Sequence, residues 1–239
     1  MSHSIPDHRL TSLTIFFPFY NDAGTVLEQI KDAYRVGGEV SQKLEVIAIH
    51  GGKSKDETEM KLNEAKILFP DLQIFDESQS DKGYAVIAIG LKKATSEWVF
   101  YTDGDRQYHV DDLKSLIETQ FQTGAQMVNG YKEIRHDSWT RRLAGDLYAR
   151  IMRVVLRLPV RDPDCDFRLI STALLIDWQP LATGAAIIQD LLIHLRNKSV
   201  RLSEVPVHHF GRTYGKSNYT VWKLTKETVS GMIRFWKYR

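Results

Sequence analysis

Short apolar runs alternate with amphipathic stretches through the first half of the chain. Leu13–Phe17 is aromatic and β-branched and predicts a strand, with a loop over Pro18–Gly24 after it. Thr25–Arg35 spaces its apolar residues for a helix, and Leu44–Ile49 is a second apolar run that leads into the loop His50–Asp56. Glu57–Phe69 reads as a helix stopped by Pro70, Leu72–Phe75 as a third strand, Gly83–Ala94 as an apolar helix and Trp98–Thr102 as a fourth strand. Leu113–Phe121 then predicts a helix and Met127–Gly130 a short strand. Short strands of this kind with helices between them predict an α/β fold with a mainly parallel central sheet covered on both faces. In such sheets ligands bind beyond the carboxyl ends of the strands. The loops Pro18–Asp22, His50–Asp56 and Asp103–Gln107 all fall there.

The second half is patterned differently. Arg141–Leu158 predicts a long amphipathic helix, with Leu143, Leu147, Ile151 and Leu158 on one side and Arg142, Arg150, Arg153 and Arg157 on the other. An Asp-rich loop, a strand near Phe167–Ile170, a helix near Ala185–Arg196 and a strand near Leu202–Val207 follow. The basic loop His208–Asn218 leads to a last helix over Tyr219–Trp236 that pairs Trp222, Val229, Ile233 and Trp236 with Lys223, Lys226, Arg234 and Lys237. No repeat or linker divides the chain. It reads as one domain over residues 1–218 with a C-terminal amphipathic helical extension over 219–239.

Composition narrows the class. The chain has 239 residues, 43% hydrophobic and 26% charged, with 32 basic against 30 acidic side chains. This is the make-up of a globular protein with an ample core. The single cysteine, Cys165, rules out an internal disulfide and a cysteine metal cluster, which fits a reducing cytosol, and it reads as a packing residue. Met1–Thr11 has no apolar signal core, and no run is long enough to span a bilayer. His208-His209 point to opposite faces of a strand and do not chelate one metal readily. A net charge of +2 gives no footprint for nucleic-acid binding. That total is uneven, however. Residues 132–161 hold eight basic and three acidic residues (+5), residues 212–239 hold seven and one (+6), and the remainder therefore carries −9.

The chemistry concentrates at strand ends. Asp103-Gly104-Asp105 places two carboxylates one residue apart after a buried strand, with Gln107 adding a neutral oxygen. Such a pair can share a hard divalent cation that bridges to substrate phosphates. The alternative is an acidic turn, since Asp-Gly favours turns. Asp162, Asp164 and Asp166 crowd one loop and repel unless paired or bound to a cation, so they read either as an acceptor-side wall or as a solvated loop with Asp166 paired to Arg168.

Taken in order, Phe17-Pro18-Phe19-Tyr20-Asn21-Asp22, Lys82-Gly83-Tyr84-Ala85, Asp103-Gly104-Asp105, Asp164-Cys165-Asp166-Phe167-Arg168, Gln189-Asp190 and Arg212-Thr213-Tyr214-Gly215-Lys216-Ser217 resemble the family 2 glycosyltransferases. Within that family the set is most similar to the polyprenyl-phosphate (dolichol-phosphate) mannose and glucose synthases, over roughly residues 13–220. The resemblance implies the A-type, Rossmann-like glycosyltransferase fold and a nucleoside diphosphate sugar, UDP- or GDP-linked, as donor. It places Pro18, Tyr20 and Asn21 against base and ribose, and Asp22 at the family's usual Glu position. It adds Ser54, Asp56, Lys82, Gly104 and Arg135 to the donor site, and gives Mg²⁺ or Mn²⁺ to Asp103, Asp105 and Gln107. Arg212 would face phosphate oxygens, which suit its planar fork. Asp164, Arg168, Arg142, Lys216 and Ser217 would line the acceptor. One departure stands out. Relatives usually carry Asp-Asp-Gly-Ser-x-Asp after the second strand, where an Asp reads the base. Here Gly51-Gly52 replaces the acidic pair while Ser54 and Asp56 match.

The expected reaction is an inverting, metal-dependent transfer of a hexose to a polyprenyl phosphate, with Asp105, Arg212 and Asp190 as its catalytic residues. A hydroxyl acceptor needs a general base, for which Asp190 is the candidate, whereas a phosphate acceptor is already anionic. Two rivals remain: transfer to a saccharide or protein hydroxyl, and a nucleotide-sugar-binding protein that has lost catalysis. The two basic amphipathic helices imply peripheral contact at the inner face of a membrane, directly or through a membrane partner subunit.

Overall fold

The computed structural model describes residues 8–79, 85–132, 150, 152–182, 184 and 186–215. Its first strand, β1 (Leu10–Phe19), carries an unbroken apolar run and is buried on both faces, as a central strand must be. The chain continues as α1 (Val26–Val40), β2 (Ser41–His50), α2 (Thr58–Leu68), β3 (Gln73–Asp76), α3 (Val86–Lys93) and β4 (Trp98–Thr102). A 3₁₀ turn at Val110–Asp112 leads into α4 (Leu113–Thr123). Then come β5 (Met127–Lys132), β6 (Phe167–Ser171), α5 (Ala186–Asn197) and β7 (Leu202–Val207).

The seven strands form one sheet in the order β3-β2-β1-β4-β6-β5-β7. β1, β2, β3 and β4 are mutually parallel, β5 and β7 are parallel, and β6 runs antiparallel between β4 and β5. The expected α/β architecture with a mainly parallel sheet is therefore present. Alternation along the strands divides the core into two layers. Leu13, Ile15 and Phe17 pack with Val26, Ile30 and Ala33 of α1 and Leu113, Leu116 and Ile117 of α4. Phe16, Ile47 and Ile49 face Val86, Ile87 and Leu91 of α3 and Ile187, Leu191 and Leu192 of α5.

Strand order reverses direction between β1 and β4, so the crevice for a ligand lies at their carboxyl ends. Four extensions beyond the sequence expectation shape that edge. β1 continues to Phe19, β2 to His50, β3 ends on Asp76, and β5 runs two residues past Gly130 to Lys132. Of the expected helix over Arg141–Leu158, residues 152–156 are helical and Arg157 turns to φ 49°. Arg150 is helical as well; residues 141–149 and 151, and the extension over 219–239, lie outside the described residues. Among the described residues, no helix is long and apolar enough to cross a membrane.

Candidate active site

The crevice is built from three loops that hold one another. Thr25, at the start of α1, donates its hydroxyl to the carbonyl of Asp22 (2.9 Å) and to that of Gly104 (2.7 Å). Gln29 Nε2 reaches the Asp103 carbonyl at 3.3 Å. Gly104 is required by contact: a Cβ there would lie 2.5 Å from the Phe19 ring and 2.7 Å from the Pro18 carbonyl. The first loop is tied to the second as well. Asn21 N–H donates to Ser54 Oγ (3.1 Å), Asp22 N–H to Thr58 Oγ1 (2.8 Å) and Ala23 N–H to Asp56 Oδ2 (3.1 Å). Pro18, Tyr20, Asn21, Asp22, Ser54, Asp56 and Gly104 are thus brought together.

Three carboxylates crowd the middle of this group. Asp22 is pushed up to about 7, by burial first and then by Asp105 and Asp56, while the Tyr20 N–H and Arg212 oppose the rise. Burial also raises Asp103, and the neighbouring charges of Asp166, Asp105 and Asp22 add to it. Asp105 is raised by burial, against the pull of Arg212 and the Gln107 N–H. Asp56 behaves differently. Burial would raise it, but donors from Thr58, Ala23 and Tyr214 hold it below the usual range. Carboxylates that resist ionisation together form a site for a cation. Among the described residues no three His, Cys, Asp or Glu side chains converge into a preformed metal cage. A donor set of two carboxylates, completed by substrate phosphates, suits Mg²⁺ or Mn²⁺ better than a closed protein cage does. The cation that faces the group is Arg212, with Nη2 on Asp105 Oδ2 and Nη1 3.5 Å from Asp22 Oδ1.

Arg212 arrives on a strap, residues 208–215, that leaves β7 and crosses the crevice. His208 N–H donates to Asp112 Oδ2 (2.8 Å), and Phe210 N–H donates to the Gln107 carbonyl (2.8 Å). The His109 and Phe210 rings stack with centroids 4.2 Å apart. Beyond Arg212, the Tyr214 ring covers Gly24, where a Cβ would come within 2.3 Å of it, and the Tyr214 hydroxyl bonds to Asp56. Gln107, expected beside the carboxylates, commits its amide nitrogen to the Phe210 carbonyl (3.0 Å) and its N–H to Asp105 Oδ1 (2.9 Å), so it braces the strap.

The acidic loop before β6 is not solvated. Arg168 is completely buried, and each of its nitrogens is bonded: to Asp166 Oδ1 (2.6 Å), Tyr101 Oη (2.6 Å), Asn129 Oδ1 (2.7 Å) and the Pro163 carbonyl (2.6 Å). This corrects the expectation that Arg168 lines the acceptor, since it has no surface to offer one and acts as scaffold. Asp166 is paired but buried. Asp164 keeps partial exposure and is pushed up to about 7 by burial, with Asp162 and Asp166 raising it further and Lys132 pulling it down. Cys165 is buried and pushed up to about 12, so it stays a thiol, as a packing residue would.

Lys132 is the residue that sequence reasoning missed. Its Nζ donates to the Asp164 carbonyl (3.0 Å), lies 3.9 Å from Asp162, and its charge reaches Asp105 and Asp166. The available signal was a lysine two residues beyond the predicted end of a strand at the ligand edge. Asp190 stands apart from this group. Its Oδ1 accepts from Trp178 Nε1 (3.1 Å), and its Oδ2 accepts from the N–H groups of Leu181 (2.6 Å) and Ala182 (2.8 Å). It anchors the 178–182 loop on α5, and none of these bonds goes to the carboxylate cluster. Lys82, Arg135, Arg142, Lys216 and Ser217 lie outside the described residues.

A Rossmann-like sheet with an Asp-x-Asp loop and a cationic strap at its switch point defines a nucleotide-sugar transferase of the A-type fold. Residues 14–178 match the family model for glycosyl transferase family 2, and the chain belongs to that family. Its structure is similar to glucosyl-3-phosphoglycerate synthase from Mycobacterium tuberculosis, solved with Mn²⁺ and UDP-glucose. The identity is 18% and the TM-score 0.67, over 94% of this chain and 78% of that one. The same enzyme solved with Mg²⁺ and UDP gives 15% identity and a TM-score of 0.67, over 94% and 79%. Mannosyl-3-phosphoglycerate synthase from Rubrobacter xylanophilus gives 15% and 0.70, over 95% and 74%. At these identities the likeness is one of fold.

Proposed function

We propose that this glycosyltransferase moves a hexose from a nucleoside diphosphate sugar to a phosphate-bearing acceptor, with inversion at the anomeric carbon. The observation that carries the reading is the cluster of Asp22, Asp103 and Asp105 at the sheet's switch point, closed by Arg212. The first loop, with Pro18, Tyr20 and Asn21, would hold the nucleoside. Asp103 and Asp105, with the Gln107 oxygen, would hold Mg²⁺ or Mn²⁺, as solved neighbours do these ions with UDP. The ion supplies charge neutralisation on the diphosphate as it departs. Arg212, released from Asp105, can take the same phosphate oxygens in its planar fork. The acceptor oxygen attacks the anomeric carbon, and the bond to the nucleoside diphosphate breaks as the new one forms.

A phosphate acceptor is anionic before it attacks and requires no base, which agrees with Asp190 being committed to three donors. Polyprenyl phosphate is the acceptor we favour, because the chain's two basic segments both begin at the ligand edge of the sheet. Lys132, which opens the first, pairs with Val207 at the end of β7, and Arg212, which opens the second, acts with Lys132 on Asp105. A membrane surface would then lie beyond that edge. Phosphoglycerate, found in complexes of the solved neighbours, also bears a phosphate, but the oxygen it offers to a sugar is a hydroxyl, so it belongs with transfer to a hydroxyl. A second reading, transfer to a hydroxyl, is favoured by Asp164, which is partly exposed and, pushed up to about 7, suited to take a proton. The test is mass-detected transfer from UDP- and GDP-hexoses with Mn²⁺ to polyprenyl phosphate in detergent, 3-phosphoglycerate and simple saccharides. Product with polyprenyl phosphate supports the proposal, product with 3-phosphoglycerate or saccharide alone supports the second reading, and no transfer from any donor overturns both.

A further inference from the structure

The glycine pair that replaces the usual acidic residues after β2 raises the question of what organises the nucleoside end of the crevice. The polar residue beside it is His50, the last residue of β2, which is 3% exposed and cannot itself touch a ligand. Its backbone and ring join the ends of three strands. The following Gly51 N–H donates to the Phe19 carbonyl of β1 (2.9 Å), and Glu77 N–H, after β3, donates to the His50 carbonyl (3.0 Å). His50 Nε2 lies 2.9 Å from Ser54 Oγ, and Nδ1 lies 3.5 Å from Asp76 Oδ1 at the end of β3.

The polarity of this chain can be worked out. Asn21 N–H can only donate, so Ser54 Oγ accepts from it. The Ser54 hydroxyl hydrogen can then go to His50 Nε2, which leaves the ring proton on Nδ1 facing the Asp76 carboxylate. Asp76, held below the usual carboxylate range by Ser78 and His50, is an ionised partner for that proton. At the other end, Asn21 has φ 57°, in the left-handed region that few residues other than Gly, Asn and Asp adopt. Two contacts hold it there: its N–H on Ser54, and Lys55 N–H donating to its side-chain oxygen (2.6 Å). Asn21 sits between Tyr20, whose ring covers Gly52, and Asp22, which accepts from the Tyr20 N–H (2.9 Å). Fixing this one backbone unit therefore fixes the direction of Tyr20 and the reach of Asp22.

We propose that His50 is a positioning residue for the nucleotide-binding loop: oriented by Asp76 and acting through Ser54, it holds Asn21 in its left-handed conformation and so sets affinity for the nucleoside part of the donor. The inference rests on the nucleotide-sugar reading above. It gives the replaced acidic pair a physical successor, with the carboxylate supplied from β3 and passed to the first loop through a ring and a hydroxyl.

The experiment is calorimetric binding of UDP and GDP, each with Mn²⁺, to the full chain and to Ser54→Ala, His50→Leu, His50→Gln and the Ser54→Ala/His50→Leu double variant. Donor KM and kcat are measured alongside. Ser54→Ala and His50→Leu should each weaken the better-bound nucleotide about tenfold, the value of one lost hydrogen bond at the strong end. The double variant should be no weaker than about threefold beyond either single one, because both break the same chain. His50→Gln keeps an acceptor for Ser54 and a donor for Asp76 and should bind within about threefold of the parent. The losses should appear in donor KM, with kcat at saturating donor within about twofold. Should His50→Leu fail to fold, Ser54→Ala and His50→Gln decide alone, since Ser54 is partly exposed. Unchanged affinity in Ser54→Ala, or singles that multiply in the double, would overturn the relay. A parent chain that binds neither nucleotide would overturn the nucleotide-sugar reading itself, and the relay with it.

Discussion

Replacing Asp190 by Asn separates an anchor from a base. In the folded chain three donors converge on this carboxylate: the Trp178 indole N–H on one oxygen, and the Leu181 and Ala182 N–H groups on the other. An asparagine can keep at most one side as acceptor. Turned to serve the two backbone groups, it sets its own NH₂ against the Trp178 N–H, in a site where Trp178 is 2% exposed. Two bonds lose their charge assistance, at roughly 1 kcal/mol each, and one buried donor is left unpaired, at about 1–3 kcal/mol. The sum is about 3–5 kcal/mol. For a chain of this size 1 kcal/mol moves the midpoint by about 2–4 °C, so thermal unfolding should fall by about 6–20 °C. Turnover well below the new midpoint should drop less than about tenfold. A general base, by contrast, contributes about 10²–10⁴ in rate. Unfolding followed by circular dichroism and kcat at 20 °C are the two measurements. A midpoint within about 1 °C of the parent together with a hundredfold loss of kcat would refute the anchor and restore Asp190 as base.

Other outcomes follow from the same contacts. Arg168→Met should cost about 3–5 kcal/mol, because it strands the buried Asp166 carboxylate, and the drop in midpoint should be as large for Arg168→Lys, which cannot reproduce the four bonds. Asp164, raised to about 7 against an ordinary 3.8, contributes stability that is fully present below about pH 4 and lost as pH rises through 7. Asp164→Asn should therefore raise the midpoint at pH 8 and leave it unchanged at pH 4, and a flat difference across that range would exclude the burial invoked here. Arg212→Gln should bind Mn²⁺ alone about tenfold more tightly, because it removes the cation that faces Asp105 and Asp22, yet bind UDP with Mn²⁺ more weakly. Calorimetry that shows both affinities falling together would contradict this competition.

The strands were the most legible part of the sequence. β4 and β7 have the limits predicted for them: exposed Glu97 precedes β4 and the acidic Asp103 ends it, and exposed Arg201 and His208 bound β7. β1 was cut short at Pro18, a residue usually excluded from central strands. The pairing of β1 with β4 stops at Phe16 opposite Tyr101, so Pro18 has a strand only on its β2 side, and its missing N–H costs no ladder bond. The cluster of first loop, second loop and Asp-x-Asp loop was readable from ordered motifs. The role of Arg168 was not. Its partners Tyr101 and Asn129 stand directly opposite it on two strands that flank β6, and β6 is inserted between them out of chain order. Lys132 was hidden by a strand end placed two residues early. The anchoring by Asp190 depends on which way one side chain turns toward an irregular loop, and no spacing encodes that.

The return of β6 between β4 and β5 also governs how this enzyme could be rebuilt. Residues before Gly124 carry the first, second and Asp-x-Asp loops, and residues after it carry Lys132, Asp164 and Arg212. The exposed, left-handed Gly124 at the end of α4 looks like a natural splice point for exchanging one half against that of a relative. The halves are laced rather than docked, however. Arg168 belongs to the second half and binds Tyr101 of the first through the middle of the sheet. A chimera that keeps Tyr101, Asn129, Asp166 and Arg168 as one set preserves the lacing. One that replaces Tyr101 leaves a buried N–H of Arg168 short of a partner, whatever its loops were chosen to recognise.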